Sequence, residues 1–594
     1  MMKSYKYKVL TLGLALIGLA SCSDSFLDKV PDERTEIDSE DKVIQLLVSA
    51  YPEASPAWLG ELSSDNLIDN LCPHLPTDMN DKQVLSHYNY GSYSKWDDEA
   101  FRFEPATNAT YSDMDSPGQL WSAYYGSIAT VNQALAGIDR VAPDGNYSAK
   151  LKAAKGEALL IRAFDHFMLV NIFSQAYKNE SASKQDVGVP YVTEIEDVVS
   201  KKYDRINVDS VYKMIGKDLE AGLSLISDVN FTTAPKYHFN TNAAHAFAAR
   251  YYLYTRKYDK VIEHANAVLG TDSISMQRMI MDLSQFDGCS SVSDYANVWG
   301  KPELNGNLML LNTSSTLARR AFGYRYSMAG PTARNVMMYS RNSMLWSGYP
   351  CPAMAMVSGQ LLSSSSHDYG LFSAKAYEHF QYTNKVAGIG YVHIINRPFT
   401  SNRLLLERAE AEIMLGKYED AENDLRWYWN CSIESMTAKD KKLYVDTKYT
   451  KYLTNAILKK YFTYAVDDEG KMLSSINPNC QENWDFTKNM SPDYVIPAEA
   501  VPYMNCVNAF RRYENAFDGV RFFDLKRWGM EYVHEVGTSS EKLVMKWNDS
   551  RRAIEVPWEA LSAGMDSSRP EPESKASDSN ESKLSVSKSC YVIK

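Results

Sequence analysis

The run Leu415-Gly416-Lys417-Tyr418-Glu419-Asp420-Ala421 joins two amphipathic stretches, 401–415 and 418–429, and reads as the bend of a helical hairpin. Gly416 allows the tight turn, and the small Ala421 lets the second helix approach the first. The bend has an earlier copy, 160 residues upstream. With Thr241-Asn242 laid on Ser401-Asn402, Ala249 meets Ala409 and Leu253 meets Ile413. Lys257-Tyr258 then falls on Lys417-Tyr418, and Val261 on Ala421. Each copy is a helix, a short turn holding Lys-Tyr and a second helix. One such hairpin cannot bury its apolar face alone, so neighbours must complete a stack; 118–173 is the first candidate.

The turn is similar to that of a tetratricopeptide repeat, and helical periodicity extends well beyond it. Residues 41–51 carry an apolar stripe at Val43, Leu46, Leu47 and Ala50. Residues 118–139 keep a three-or-four spacing through Leu120, Trp121, Tyr124, Ile128, Val131, Leu135 and Ile138, and 149–173 do so through Ala154, Ala158, Ile161, Phe164, Met168 and Ile172. Further helices are expected over 207–227, 241–255 and 258–269, with one near 505–533. Residues 52–117 and 270–400 are irregular, rich in Pro, Asp, Asn, Ser, Gly and Tyr, with short β-like runs in the second. Such long segments in a helical protein are where binding loops are expected. The fold class expected is therefore mainly α, with tetratricopeptide-like hairpins packed against an irregular loop-rich region.

Composition narrows the function. The chain has 594 residues, 45% of them hydrophobic and 23% charged, which is globular rather than disordered or fibrous. Lys and Arg number 63 against 74 Asp and Glu, a net charge of −11, opposite to what phosphate neutralisation needs, so no nucleic-acid partner is expected. Eight Cys without a Cys-x-x-Cys pair argue against a structural zinc site and a disulfide scaffold. The 40 Tyr, with 20 Phe and 11 Trp, are the unusual surplus.

The N-terminus sets the compartment. Lys3, Lys6 and Lys8 precede the apolar run Val9–Ala20, which is shorter than the roughly 20 residues a spanning helix needs and has the flanks of a signal peptide. Leu19-Ala20-Ser21-Cys22 matches a bacterial lipobox, making 1–21 a signal peptide and Cys22 the acylated first residue. Removing its three lysines takes the net charge from −11 to −14. No other stretch approaches eighteen continuous apolar residues, so the body is expected to be held to the membrane by lipid alone.

Several segments together resemble the SusD/RagB family of outer-membrane nutrient-binding lipoproteins of Bacteroidetes. They are the lipobox followed by Ser23-Asp24, then Leu120-Trp121-Ser122-Ala123-Tyr124-Tyr125 with Asn132, then Lys155-Gly156-Glu157 running to Phe164, and the two hairpins. The most specific is Glu514-Asn515-Ala516-Phe517-Asp518-Gly519-Val520-Arg521-Phe522-Phe523-Asp524-Leu525-Lys526-Arg527-Trp528-Gly529. The resemblance implies an N-terminal SusD-like region with helical repeats over 22–270 and a C-terminal region over 271–566. The Ser-rich residues 567–594 depart from the family as a polar tail or exposed loop. It also implies a lipid-anchored outer-membrane protein facing the cell exterior, which captures oligosaccharides and delivers them to a SusC-like TonB-dependent transporter. No cofactor is implied.

Read by themselves, the family motifs are structural. Arg162, in a strongly apolar helix, is expected to pair with a buried acid, and 520–529 to be helical with Phe522, Leu525 and Trp528 on one stripe. No Gly-x-Ser-x-Gly, His-Glu-x-x-His, Gly-Lys-Ser/Thr or Gly-x-Gly-x-x-Gly motif occurs; the 74 acids still supply many possible carboxylate pairs, and it is the resemblance that implies no catalytic residue, while no metal site is expected. His238 with His245, and Asp65-Asn66 with Asp69-Asn70, are the nearest approaches to a metal-ligand pattern, and core packing and turn-making explain them better. The aromatic surplus is suited to binding, because sugar C–H faces dock on flat rings while Asn, Asp, Gln and Arg bond the hydroxyls. Rings in polar loops are the candidates: Trp58, Trp96, Trp299, Tyr324 and Trp346. Two other readings of the chain are a binder of peptides or another nutrient in the same transport role, and a surface glycoside hydrolase of helical fold. A repeat scaffold without a ligand is a further one, which buried loop tryptophans with no exposed aromatic cluster would favour.

Overall fold

A computed structural model describes residues 37–71, 94–196, 202–321 (except 282, 287 and 290), 325–328, 356–360, 369–433, 458, 462 and 490–569 (except 540). Cys22, Tyr324, Trp346 and residues 570–594 of the expected tail lie outside the described residues; at its start Ser568 and Arg569 are buried, donating to Phe173 O at 2.7 Å and Phe103 O at 2.8 Å. The main helices are α1 (Glu40–Val48), α2 (Ala57–Leu62), α3 (Lys95–Phe101), α4 (Pro117–Val141), α5 (Ala149–Phe173), α6 (Val208–Leu225), α7 (Thr241–Tyr254) and α8 (Tyr258–Leu269). After them come α9 (Val292–Trp299), α10 (Leu317–Ala321), α11 (Ser401–Met414), α12 (Tyr418–Ile433), α13 (Val501–Glu514), α14 (Val520–Trp528) and α15 (Trp558–Ser562).

The long helices start where a side chain satisfies the first free amides. Ser116, Ser148, Asn207, Asn240 and Thr400 each accept a backbone N–H three residues on, from Gln119, Leu151, Ser210, Ala243 and Arg403. Helix α5 is apolar on almost every face and is correspondingly central, buried along nearly its whole length between α4 and α6. Arg162 in its middle donates to both oxygens of Asp218 on α6 at 2.7 and 2.9 Å and to Asn132 on α4 at 3.0 Å. The buried acid that the sequence demands for this charge is thus present, and three helices share it.

The two repeat copies are congruent in detail. Both first helices have 14 residues, and the second helices begin at Tyr258 and Tyr418. The bends close with the same pair of bonds: Lys257 N to Tyr252 O and Lys417 N to Glu412 O, both 2.8 Å, and Arg256 N to Leu253 O at 3.1 Å matching Gly416 N to Ile413 O at 3.0 Å. Gly416 has φ +74°, and Arg256, its counterpart, holds φ +59°. The two hairpins contact each other through α8 and α11, while α4–α5 and α5–α6 extend the helical layer on one side and α13 on the other. One apolar core runs from Val43 to Ala560, so it crosses the expected boundary at 270/271 without interruption.

The helix expected near 505–533 is two. The turn 515–519 separates α13 from α14, because Phe517 and Gly519 take left-handed backbone (φ +63° and +70°) that no helix continues through. The chain then enters strand rather than helix. The strands are β1 (Ile68–Asp69), β2 (Asn307–Thr313), β3 (Tyr326–Ser327), β4 (Met356–Gln360), β5 (Tyr369–Ser373), β6 (His379–Asn384), β7 (Ile389–Thr400), β8 (Tyr532–Val536) and β9 (Glu541–Met545). They form small antiparallel sheets, of which β2-β7-β6 is the only one with three strands among the described residues.

Helix α2 meets the turn before α14 backbone to backbone, and Glu61 seals the junction. Its carboxylate accepts Gly519 N at 3.1 Å and Asn66 Nδ2 at 2.9 Å, and burial pushes its pKa up to about 7 from an ordinary 4.5. A carboxyl raised in the folded state favours folding below pH 4.5 and loses that advantage as pH rises to 7. Wild-type stability is therefore expected to fall by about 2–3 kcal/mol on this account between pH 5 and 8. Urea unfolding of wild type and Glu61→Gln at both pH values tests this; equal pH dependence in the two would contradict it.

Candidate functional site

Two of the sequence candidates, Trp58 and Trp96, meet at α3. Ser94 caps it through a reciprocal pair with Asp97, whose Oδ2 accepts Ser94 N at 2.9 Å. The same carboxylate accepts Trp58 Nε1 at 2.9 Å and Arg320 Nη1 at 2.7 Å. The Arg320 guanidinium lies 5.0 Å from the Trp96 ring centre. Trp58, Trp96 and α10 are thereby locked together around one buried acid. Burial pushes Asp97 above the usual carboxylate range, with the Arg320 charge opposing it.

Next to this block lies a polar rim. Arg325, the residue after Tyr324, donates to both oxygens of Asp69 at 3.0 and 2.8 Å and to Asp98 at 3.2 Å. Tyr326 OH donates to Asp98 at 2.8 Å, and Gly537 N to Asp69 at 2.8 Å. The Phe101 ring stacks at 4.2 Å on both Tyr326 and His534 and backs the rim. Asp69 is buried, while the Asp98 side chain is 32% exposed. A fixed guanidinium beside a half-open carboxylate offers the donors and acceptors that hydroxyl groups or amides need.

As placed, the three described tryptophans are anchors. Trp58, Trp96 and Trp299 are each no more than 2% exposed and present no free ring face. Trp299 lies away from the other two, between the Arg397 and Lys375 cations at 4.4 and 5.1 Å. Polar sequence neighbours had made these rings look solvent-facing; the partners that cover them come from distant segments.

Exposed rings occur instead on the β6–β7 hairpin. Phe380 and Tyr382 are 48% and 52% exposed, with ring centres 4.8 Å apart at 75°. They face Val392 and Gly390 across the ladder, and Gly390, without a side chain, leaves room for the Phe380 ring. Tyr391 is exposed on the other strand, and Val386 at the tip is wholly so. The turn is fixed by Asn384 Oδ1, which accepts Val386 N and Ala387 N. The signal was present in the alternation His379-Phe380-Gln381-Tyr382 followed by Asn384 and Gly388. Trp558, in Pro557-Trp558-Glu559, is the one exposed tryptophan among the described residues.

Two consecutive arginines tie the hairpin to the Trp58–Asp97 block. Arg320 holds Asp97, and Arg319 donates from Nε to both oxygens of Glu378, the residue before β6, at 2.8 and 3.0 Å. The cavity behind, lined by Phe164, Phe167, Tyr254, Arg250, Arg403 and Asp518, holds about 40 Å³, enough for a water or two and too small for a sugar. The remaining polar motifs are structural. Asp65 pairs with Arg521 at 2.7 and 2.9 Å, Asn66 accepts from Arg512 at 2.9 Å, and Asn70 donates to Ser327 at 2.8 Å. His238 bonds Glu157 at 2.8 Å, whereas His245 faces His264. The two histidines nearest in sequence are therefore not a pair.

Residues 25–253 match the family SusD-like_3, described as "Starch-binding associating with outer membrane". Among solved structures, a SusD superfamily protein from Bacteroides vulgatus shares the fold at TM-score 0.55 and 16% identity, covering 90% of this chain and 99% of that one. One from Bacteroides thetaiotaomicron matches at 0.53 and 16%, covering 90% and 100%, and a second from B. vulgatus at 0.53 and 13% with the same coverage. No curated protein matches the chain. Residues 25–253 are thus similar to this family, and the chain shares the fold of solved SusD superfamily proteins.

Proposed function

We propose that this protein is a surface glycan-binding lipoprotein, anchored through Cys22 on the outer face of the outer membrane, that captures oligosaccharides and hands them to a SusC-like TonB-dependent transporter. The observation that carries the reading is the pairing of exposed rings Phe380 and Tyr382 with the Asp98–Arg325 rim, joined through Arg319, Arg320 and Asp97, the residue before Asp98. Rings take the apolar faces of the sugar and the rim takes its hydroxyls. Tyr324 and Trp346, outside the described residues, are further candidate ring contacts. Trp58, Trp96 and Trp299 serve as supports. Among the described residues no helix is long and apolar enough to cross a membrane, which fits mooring by lipid. The family's description supports a carbohydrate ligand and a role in binding, without bond cleavage.

Stacking on each ring contributes about 1 kcal/mol, so Phe380→Ala with Tyr382→Ala is expected to weaken glycan binding about thirtyfold while leaving circular dichroism unchanged. Calorimetry against a panel of oligosaccharides measures this. Release of new reducing ends at catalytic rates would replace the reading with a surface glycoside hydrolase. A second reading, a binder of peptides or another nutrient, is favoured by the aliphatic Val386 and Ile389 at the hairpin tip. Affinity for a peptide library with none for glycans would establish it.

A further inference from the structure

His245 on α7 and His264 on α8 stand nineteen residues apart in sequence and meet across the first repeat hairpin. Their Nδ1 atoms are 2.9 Å apart, and their ring centres 5.2 Å apart with the planes inclined at 36°. We propose that this pair is a binding site for a borderline divalent transition metal of the zinc, nickel or copper(II) class, which clips the two helices of the hairpin together.

At an imidazole–zinc bond of roughly 2.05 Å and a near-tetrahedral angle, two ligating nitrogens stand about 3.3 Å apart and their ring centres about 5.2 Å apart. The ring centres are already at that spacing. The nitrogens need to part by about 0.4 Å, which a small rotation of two half-buried rings provides.

The surroundings support the pair. The Tyr252 ring stacks on His264 at 5.5 Å and 5°, and its hydroxyl donates to Glu220, which fixes the imidazole plane from behind. Among the described residues no third His, Cys, Asp or Glu stands with the two histidines in ligating position, so water fills the remaining positions. Glu263, next to His264 in the chain and paired with Lys260 at 2.7 Å, adds negative charge beside the cation.

The test uses the full chain after treatment with a chelator. Zn²⁺ and Ni²⁺ titrated at pH 7.5 are expected to bind one per chain with a dissociation constant on the order of 10 µM and to raise the melting temperature. His245→Ala and His264→Ala should each weaken binding at least about tenfold and abolish the thermal shift. Glu263→Gln should weaken it by less. His379→Ala with His393→Ala, which removes the cross-strand pair of the exposed hairpin, should change nothing. If His264→Ala does not fold, His245→Ala decides, since that ring is the more exposed. Absence of binding to wild type, unchanged affinity in His245→Ala, or loss only on removing His379 and His393 would each overturn the proposal.

Discussion

Glu410→Ala is expected to destabilise the fold by about 3–5 kcal/mol, the largest loss from any single side chain here. Glu410, on α11, takes Arg527 Nη2 at 2.6 Å, Trp528 Nε1 at 3.0 Å and Tyr494 OH at 2.7 Å. Arg527 also donates to Asp524 at 2.9 Å, and Asp524 is held by Arg511 at 2.9 and 2.8 Å. Burial alone would raise the Glu410 carboxyl, and the Arg527 charge more than offsets it, so the group stays below the usual carboxylate range. Asp524 is held down in the same way by Arg511 and Arg527. Removing Glu410 leaves a buried guanidinium with one carboxylate shared between two cations. For groups so depressed, the stabilisation is complete above the unfolded pKa and is lost as pH falls through the lower folded value. The difference between wild type and variant in urea should therefore be largest near neutrality and shrink in acid. A variant within 1 kcal/mol of wild type at pH 7 would refute the network's importance.

Gly519→Ala is expected to come next, at about 3–4 kcal/mol from strain and overpacking combined. Gly519 holds φ +70°, and a methyl there would stand 2.7 Å from Ala57 Cα and 2.8 Å from Ala57 O. From the other side, a methyl on Gly60 would meet Gly519 O at 2.3 Å. All of these are backbone atoms, which cannot swing aside as a flexible side chain would. The readout is soluble yield and urea midpoint. Because α2 carries Trp58, and Trp58 is bonded to Asp97, any variant that folds should also show weakened glycan binding. Wild-type stability in Gly519→Ala would mean that α2 and the turn lie farther apart than described.

What could be read from the chain follows from the range of the interactions. The repeat hairpins were legible because their period, caps and bends are local: 149–173 and 258–269 are helices over those very residues. The turn that splits 505–533 was only half legible, since Gly519 marks a bend but nothing local says that strand follows. The site was least legible. Whether Trp96 faces water depends on Arg320, more than two hundred residues away, and Trp299 on Arg397 and Lys375. The exposed rings of β6 sit in an alternation too short to stand out. The His245–His264 pair requires knowing that α7 and α8 lie side by side, which the hairpin reading implied but the spacing of the histidines did not.

The adjacent arginines of α10 have one more consequence. Residues 319 and 320 share a peptide bond, so Glu378 at the foot of the hairpin and Asp97, one residue before the rim's Asp98, are held at a set interval, like the jaws of a caliper. A ligand that touches both hairpin and rim must span that gap, and chain length, as much as sugar identity, becomes a quantity this surface measures.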